Sequence, residues 1–316
     1  MLSESLVWVI LFAPLAAFVI IGFVVRPLMR IVIPTGPHDP SGEAEHDASR
    51  RGILGGLAGI LAIVGIGVAF VLSVAVLFGS IDNHGESTYA AHEWLTVGNL
   101  EFTVGILMDP LTAIMLVVVT SVSLLVQIYS VGYMSHEDDR GFARYFAYMS
   151  LFTASMLGLV LSRNIVQLFA FWELVGLSSY LLIGFWFTRP SAAAAAKKAF
   201  IVTRVGDFGL LLGIMYLFFY QDAFTAAGLN SLDIVDIYAA VDAKIIAGGV
   251  ATWIAAGIFA GAVGKSGQFP LHTWLPDAME GPTPVSVLIH AATMVAAGVF
   301  LVARFFPVFE ASQTMM

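Results

Sequence analysis

The sequence predicts an all-α integral membrane protein of about eight transmembrane helices, and three observations carry that prediction. Apolar residues fill 59% of the 316 positions against 11% charged, and the mean hydropathy is +0.90, more hydrocarbon than one water-soluble core can hide. Apolar runs recur at the roughly 20-residue length that crosses a bilayer. None of them alternates as a barrel strand would, so their backbone groups in lipid can be satisfied only within helices.

The first run, 6–25, is longer than the apolar region of a signal peptide and follows no positive stretch, so it is predicted to be a retained first span. The next seven are predicted near 53–79, 107–129, 145–161, 165–187, 199–219, 245–264 and 284–306. Between them the chain is polar or rich in Gly and Pro. The acid behind the net charge of -8 sits largely in such stretches, Asp39 to Asp47, Glu137 to Asp139 and Asp233 to Asp242. These read as solvated loops, and no basic face for nucleic acid is expected. In the second loop, Ser80 to Thr103, a short alternation near Leu95 to Thr103 suggests a small hairpin. It also holds His84, His92, Glu93 and Trp94, and its histidines raise a metal site, but a solvated loop is the better reading.

Lys and Arg counted loop by loop give the orientation. The first, third and fifth loops hold nine, Arg26, Arg30, Arg50, Arg51, Arg140, Arg144, Arg189, Lys197 and Lys198, and the second, fourth and sixth hold two, Arg163 and Lys244. The bias places the odd loops in the cytoplasm and both termini outside, on the periplasmic face of an inner membrane. The sequence has no cysteine, which excludes disulfides, thiolate-held iron–sulfur clusters and a cysteine nucleophile in these residues. A redox enzyme containing this chain would carry its electrons elsewhere.

A charge at the centre of a membrane helix costs about 2.5–3.5 kcal/mol, so ionisable residues inside the spans are candidate functional residues. Glu173 has apolar helix on both sides, in Phe171-Trp172-Glu173-Leu174-Val175-Gly176. Arg204 and Asp207 are three apart and share a helical face, either as a local structural ion pair or as part of a site. Lys265 ends a long apolar run within Gly264-Lys265-Ser266-Gly267-Gln268-Phe269-Pro270, the composition of an interrupted helix whose freed backbone can face ions or water. Gly-Lys-Ser also suggests a phosphate loop, but the upstream glycine spacing and a preceding strand are missing. His290 follows Pro282 and Pro284, which suit the first turn of an eighth helix, and a histidine there can pack or relay protons. His272, Asp277 and Glu280, in the polar stretch before it, are expected at the surface.

Three blocks resemble one family. Phe171 through Phe185, Lys198 through Asp207, and Gly261 through Lys265 to Ala297 are similar to the antiporter-like membrane subunits of proton-translocating NADH:quinone oxidoreductase (respiratory complex I). Together they favour the subunit L family, chain 5 in mitochondria, which is related to the Mrp cation/proton antiporters. The resemblance covers about Trp94 to Pro307. It implies a five-helix repeat with a broken seventh helix, in which Glu173 matches a fifth-helix glutamate, Lys265 the lysine at the break, His290 an eighth-helix histidine that passes protons onward, and Asp207 a carboxylate that tunes the lysine. The family's usual Trp-Glu-Gly-Val-Gly stands here as Trp172-Glu173-Leu174-Val175-Gly176, a variant also reminiscent of the antiporters.

The implied organisation is 1–103, the first two helices with their loops, and 104–316, helices three to eight of the proton-translocating module. The second of the family's two inverted repeats is absent from these residues, so a second chain is expected to supply it unless the sequence is a fragment. The implied partners are complex I membrane subunits, especially antiporter-like neighbours, with NADH, flavin, iron–sulfur clusters and quinone in other subunits and no cofactor in this chain. A proton would load Lys265 from the cytoplasmic side and pass through His290, with Glu173 as the electrostatic switch and Asp207, with Arg204, as its modulator or structural partner. Two alternatives stand beside this: a subunit of an Mrp-type antiporter or an energy-coupled inorganic-carbon uptake complex, and a non-transporting scaffold.

Overall fold

The structure, a computed structural model, describes residues 2–32, 53–82, 87–98, 100–291, 293–312 and 314–316. Arg50, Arg51, His84 and the acidic stretch from Asp39 to Asp47 lie outside these residues. Helix α1 (Glu4–Ile20) continues through a π turn (Ile21–Val25) into α2 (Arg26–Val32), and α3 (Ile53–Asp82) returns. Four short strands follow: β1 (Ser87–Thr88), β2 (His92–Val97), β3 (Leu100–Val104) and β4 (Leu107–Met108). β2 pairs antiparallel with β3 as the predicted hairpin, and β1 pairs with β4. Next come α4 (Pro110–Tyr133), α5 (Asp139–Leu161), α6 (Ile165–Ile183) and α7 (Pro190–Phe219), then the short α8 (Gln221–Ala226) and α9 (Ile234–Asp242). The last four are α10 (Gly249–Lys265), α11 (Thr283–Ala291), α12 (Met294–Arg304) and α13 (Phe306–Glu310).

Seven segments among the described residues are long and apolar enough to cross a membrane, and α10 is a shorter apolar helix of 17 residues. The protein is therefore a multi-pass, all-α membrane protein with seven candidate spans among its described residues. α5 is its buried centre and packs on α1, α3, α4 and α6.

Capping chemistry moves several predicted boundaries. The third span begins at Pro110 rather than 107, because Asp109 caps it by accepting from Thr112 N–H at 2.8 Å while Leu107 and Met108 pair with β1. Asp138 accepts from Gly141 N–H at 3.1 Å and starts the fourth span at Asp139, well before 145. Pro190 at the first position starts α7 nine residues before 199, so Lys197 and Lys198, predicted in a loop, stand in its early turns. The fifth span ends at Ile183 rather than 187. The stretch from Asp233 to Asp242 is not a solvated loop: Asp233 caps α9, which buries Ile234, Ile237 and Ala240. The eighth span is divided into α11 and α12.

Polar contacts tie each end of the bundle. At the hairpin end Arg163 reaches Asp233 at 2.8 Å and the Tyr89 carbonyl at 2.7 Å, His92 meets Glu4 at 2.7 Å, and Arg304 pairs with Asp109. His92 thus has a carboxylate partner from the first span. At the opposite end Tyr133 meets Thr283 at 3.2 Å, the Trp186 indole donates to Glu137 at 2.7 Å and Lys198 pairs with Asp277 at 2.7 Å. His272 and Glu280 are exposed and Asp277 is half-buried, as expected.

Candidate functional site

Three helices build the site. α6 is capped by Asn164, which accepts from Val166 N–H at 2.8 Å, and Glu173 is near the middle of its 19 residues. That is the depth its sequence position implies. On α7, Arg204 and Asp207 face α6. The third helix, α10, lies against α7 along glycines: a Cβ added to Gly206 would stand 2.8 Å from the Gly264 Cα, and one added to Gly264 would stand 3.0 Å from the Gly206 Cα. Small residues are what let two membrane helices approach backbone to backbone. This contact brings Lys265, the last residue of α10, against Asp207. Gly264→Val is therefore expected to wedge the two helices apart, costing about 1–3 kcal/mol; reduced thermal stability of the purified protein checks this.

Beyond Lys265 the helix stops. Ser266 N–H donates to the Ala262 carbonyl at 2.8 Å, and Gly267 turns the chain at φ 59°, a left-handed conformation suited to glycine. The Gly264 carbonyl receives the Trp274 indole N–H at 3.1 Å from the stretch that follows. The interrupted seventh helix is thus present, with Lys265 at its broken end.

The charges form a line from the flank of the bundle to its interior. Glu173 pairs with Arg204, whose Nη2 also donates to the Glu173 carbonyl at 3.3 Å. Arg204 Nη1 lies 3.5 Å from Asp207 Oδ2, which lies 3.4 Å from Lys265 Nζ. Side-chain exposure falls along this line from 31% at Glu173 and 25% at Arg204 to 2% at Asp207 and 0% at Lys265. Two cations and two carboxylates balance, which offsets the cost of taking them out of water. The arrangement can hold a proton on the innermost group and alter its hold through a carboxylate: at about 4 Å and an effective dielectric near 20, one unit charge acts on another with about 4 kcal/mol.

Arg204 and Asp207 are thus more than a local pair, since each also contacts a charge on another helix. The carboxylate placed against Lys265 is Asp207, not Glu173. Glu173 stands beyond Arg204 and reaches Lys265 only through it.

Two residues that sequence reasoning did not single out complete the site. Trp172 is fully buried; its indole N–H donates to Asp207 Oδ1 at 2.5 Å, and Lys265 Nζ lies 5.6 Å from its ring centroid. A tryptophan in an apolar span needs an acceptor, and that need was the available signal. Gly176, one turn on, leaves room for the ammonium: a Cβ there would stand 2.6 Å from Lys265 Nζ. His290, in the last turn of α11, stacks on Trp274 at 6.4 Å between centroids, and its Nε2 is buried without a partner. Trp274 thus touches both the broken end of α10 and His290.

Two family models match the chain: NADH:quinone oxidoreductase/Mrp antiporter, TM, over residues 162–316, and NADH-ubiquinone oxidoreductase (complex I), chain 5 N-terminus, over 94–146. NAD(P)H-quinone oxidoreductase chain 5 of a Synechocystis species is 53% identical over 252 residues, 79% of this chain and 36% of that one. NADH-quinone oxidoreductase subunit L of Neisseria meningitidis serogroup B is 50% identical over 264 residues, 81% of this chain and 38% of that one. The chain thus spans less than two-fifths of the length of these relatives. Among solved structures, the Mrp complex from a Dietzia species has a chain that aligns with a TM-score of 0.66 and 28% identity, over 96% of this chain and 28% of its own length.

Proposed function

Because the chain belongs to the NADH:quinone oxidoreductase/Mrp antiporter family, we propose that it is the part of a complex I subunit L (chain 5) that loads a proton onto Lys265 during quinone reduction. The observation that carries this reading is the fully buried Lys265 at a helix break, 3.4 Å from Asp207 and linked through Arg204 to Glu173. A buried ammonium is held by a nearby carboxylate and loses that hold when the carboxylate is drawn away or neutralised. Glu173, on the half-exposed flank, acts first on Arg204. A shift of Arg204 toward Glu173 leaves Asp207 to Lys265, and a shift back weakens that hold. His290, beyond Trp274, is the next carrier.

A second repeat is required to carry the proton onward, supplied by further sequence or by another chain. The hairpin end faces outward across an inner membrane, and the end bearing Arg140, Arg144, Arg189, Lys197 and Lys198 faces the cytoplasm, in keeping with the positive-inside rule. Antiporter-like subunits are the expected membrane neighbours, and NADH, flavin, iron–sulfur clusters and quinone belong to other subunits. An Mrp-type antiporter subunit is the second reading, favoured by the 28% identical chain of the Dietzia complex.

Purifying the native complex through a tag on this chain and identifying every chain in it separates the two. Partners with cysteine-held clusters and NADH:quinone reductase activity are expected. A complex of antiporter subunits without such clusters would contradict the proposal.

A further inference from the structure

Two adjacent lysines at the basic end of the bundle have different surroundings. Lys198 pairs with Asp277 at 2.7 Å and lines a cavity that also holds Glu280, so its charge is met within the protein. Lys197, about 100° around α7 from it, is exposed and pairs with no carboxylate among the described residues. It lines a second cavity of about 190 Å³ together with Arg144 and Tyr148 of α5, Tyr180 of α6, and Phe185 and Phe187 of the connection from α6 to α7. No Asp or Glu lines this second cavity.

Arg144 is fixed in the cavity wall. Its Nη2 donates to the Phe185 carbonyl at 3.3 Å, and its guanidinium carbon lies 4.7 Å from the Phe185 ring centroid and 5.1 Å from that of Phe187. Phe185 is itself buried, edge-on to Tyr145 at 5.6 Å, which holds the guanidinium in place. The Arg144 Nε is buried and has no acceptor. A guanidinium carries five N–H donors, so Arg144 keeps donors for an anion that the protein does not supply.

The cavity lies at the depth of lipid headgroups. α6 ends at Ile183 and α7 begins at Pro190, which puts Tyr180 about 5 Å from one helix end and Lys197 about 11 Å from the other. The 30 residues of α7 make about 45 Å of helix against a hydrocarbon core of about 30 Å, so its ends stand among the headgroups. Phe187, 62% exposed, offers an apolar surface beside the two cations.

We propose that this cavity binds the phosphate of an anionic phospholipid, with Arg144 and Lys197 as counter-charges and the Tyr148 and Tyr180 hydroxyls as further donors. Two cations without an acid at this level attract a phosphodiester. The same charges repel the ammonium of a zwitterionic headgroup, so phosphatidylglycerol is selected over phosphatidylcholine. An acyl chain along Phe187 adds apolar contact that a free phosphate lacks. The proposal goes beyond the proton-loading reading and does not depend on it.

The test uses the native complex, purified through a tag on this chain and placed in phosphatidylcholine vesicles with a trace of phosphatidylglycerol that is photoreactive near its glycerol. Light is expected to label the connection from α6 to α7. Added phosphatidylglycerol is expected to displace the probe, and equal phosphatidylcholine or inorganic phosphate to leave it bound. Lys197→Gln is expected to lower labelling about fivefold, and Lys197→Arg to keep it. Lys198→Gln removes the same charge from the neighbouring cavity and is expected to leave labelling unchanged. No labelling, full labelling in Lys197→Gln, or equal losses in Lys197→Gln and Lys198→Gln would each overturn the proposal. Displacement by inorganic phosphate would overturn it too, by assigning the cavity to a free anion.

Discussion

Lys265→Met is expected to abolish proton translocation by the assembled complex while leaving the complex intact. Methionine is close in length and apolar volume to the lysine stem, so the pocket under Gly176 and Trp172 stays filled. What is lost is the fully buried cation beside Asp207, leaving the half-buried Arg204 as its other partner. Asp207 is then left in a line with one excess negative charge, and removing one partner of a buried pair costs about 3–5 kcal/mol unless the survivor neutralises. Arg204, 3.5 Å from Asp207 Oδ2, remains as its counter-charge, which limits the folding cost without restoring a carrier. The checks are the proton-to-electron ratio in sealed vesicles and native electrophoresis for assembly. A wild-type ratio in the variant would remove Lys265 from the mechanism.

Asp109→Ala is expected to be the most destabilising single change at the hairpin end. Asp109 caps α4 through Thr112 N–H at 2.8 Å and also pairs with Arg304, whose side chain is 1% exposed. The alanine would remove the cap, worth about 1 kcal/mol, and leave a buried guanidinium with the Thr112 hydroxyl and the Phe300 ring against it but no carboxylate. Breaking a buried pair from one side costs about 3–5 kcal/mol, whereas replacing both partners with apolar groups is often neutral. Asp109→Leu combined with Arg304→Met is accordingly expected to recover most of the loss. Thermal unfolding of the detergent-solubilised protein measures both. A double variant as unstable as Asp109→Ala would mean that the cap, not the ion pair, carries the stability.

Much of the fold was legible because lipid leaves the backbone few options. The apolar runs located the seven candidate spans and the shorter α10, and the alternation from Leu95 to Thr103 gave the hairpin. Helix ends were less legible, since they depend on single capping residues: Asp109, Asp138 and Pro190 moved three boundaries, and Asp233 turned an acidic stretch into a half-buried helix.

At the site, the four charged residues were singled out by the cost of charge in a membrane. Arg204 and Asp207, expected near the cytoplasmic end of their span, stand near the middle of α7 because Pro190 starts it earlier. The pairing of the four was not legible, because it depends on how α6, α7 and α10 pack. Gly206 and Gly264 set that approach, and it places Asp207 between Lys265 and Arg204. Periodicity puts Glu173 and Asp207 on their own helices but says nothing about which faces α10.

The central claim is that Asp207 governs the loading of Lys265 and that Glu173 acts on it through Arg204. The most direct test is the proton-to-electron ratio of the intact complex in sealed vesicles, with Asp207→Asn and Glu173→Gln compared side by side. Asn keeps an acceptor for the Trp172 indole while removing the charge 3.4 Å from Lys265. The expected result is a ratio in Asp207→Asn as low as in Lys265→Met, with a smaller loss in Glu173→Gln. A wild-type ratio in Asp207→Asn alongside a lost one in Glu173→Gln would contradict it.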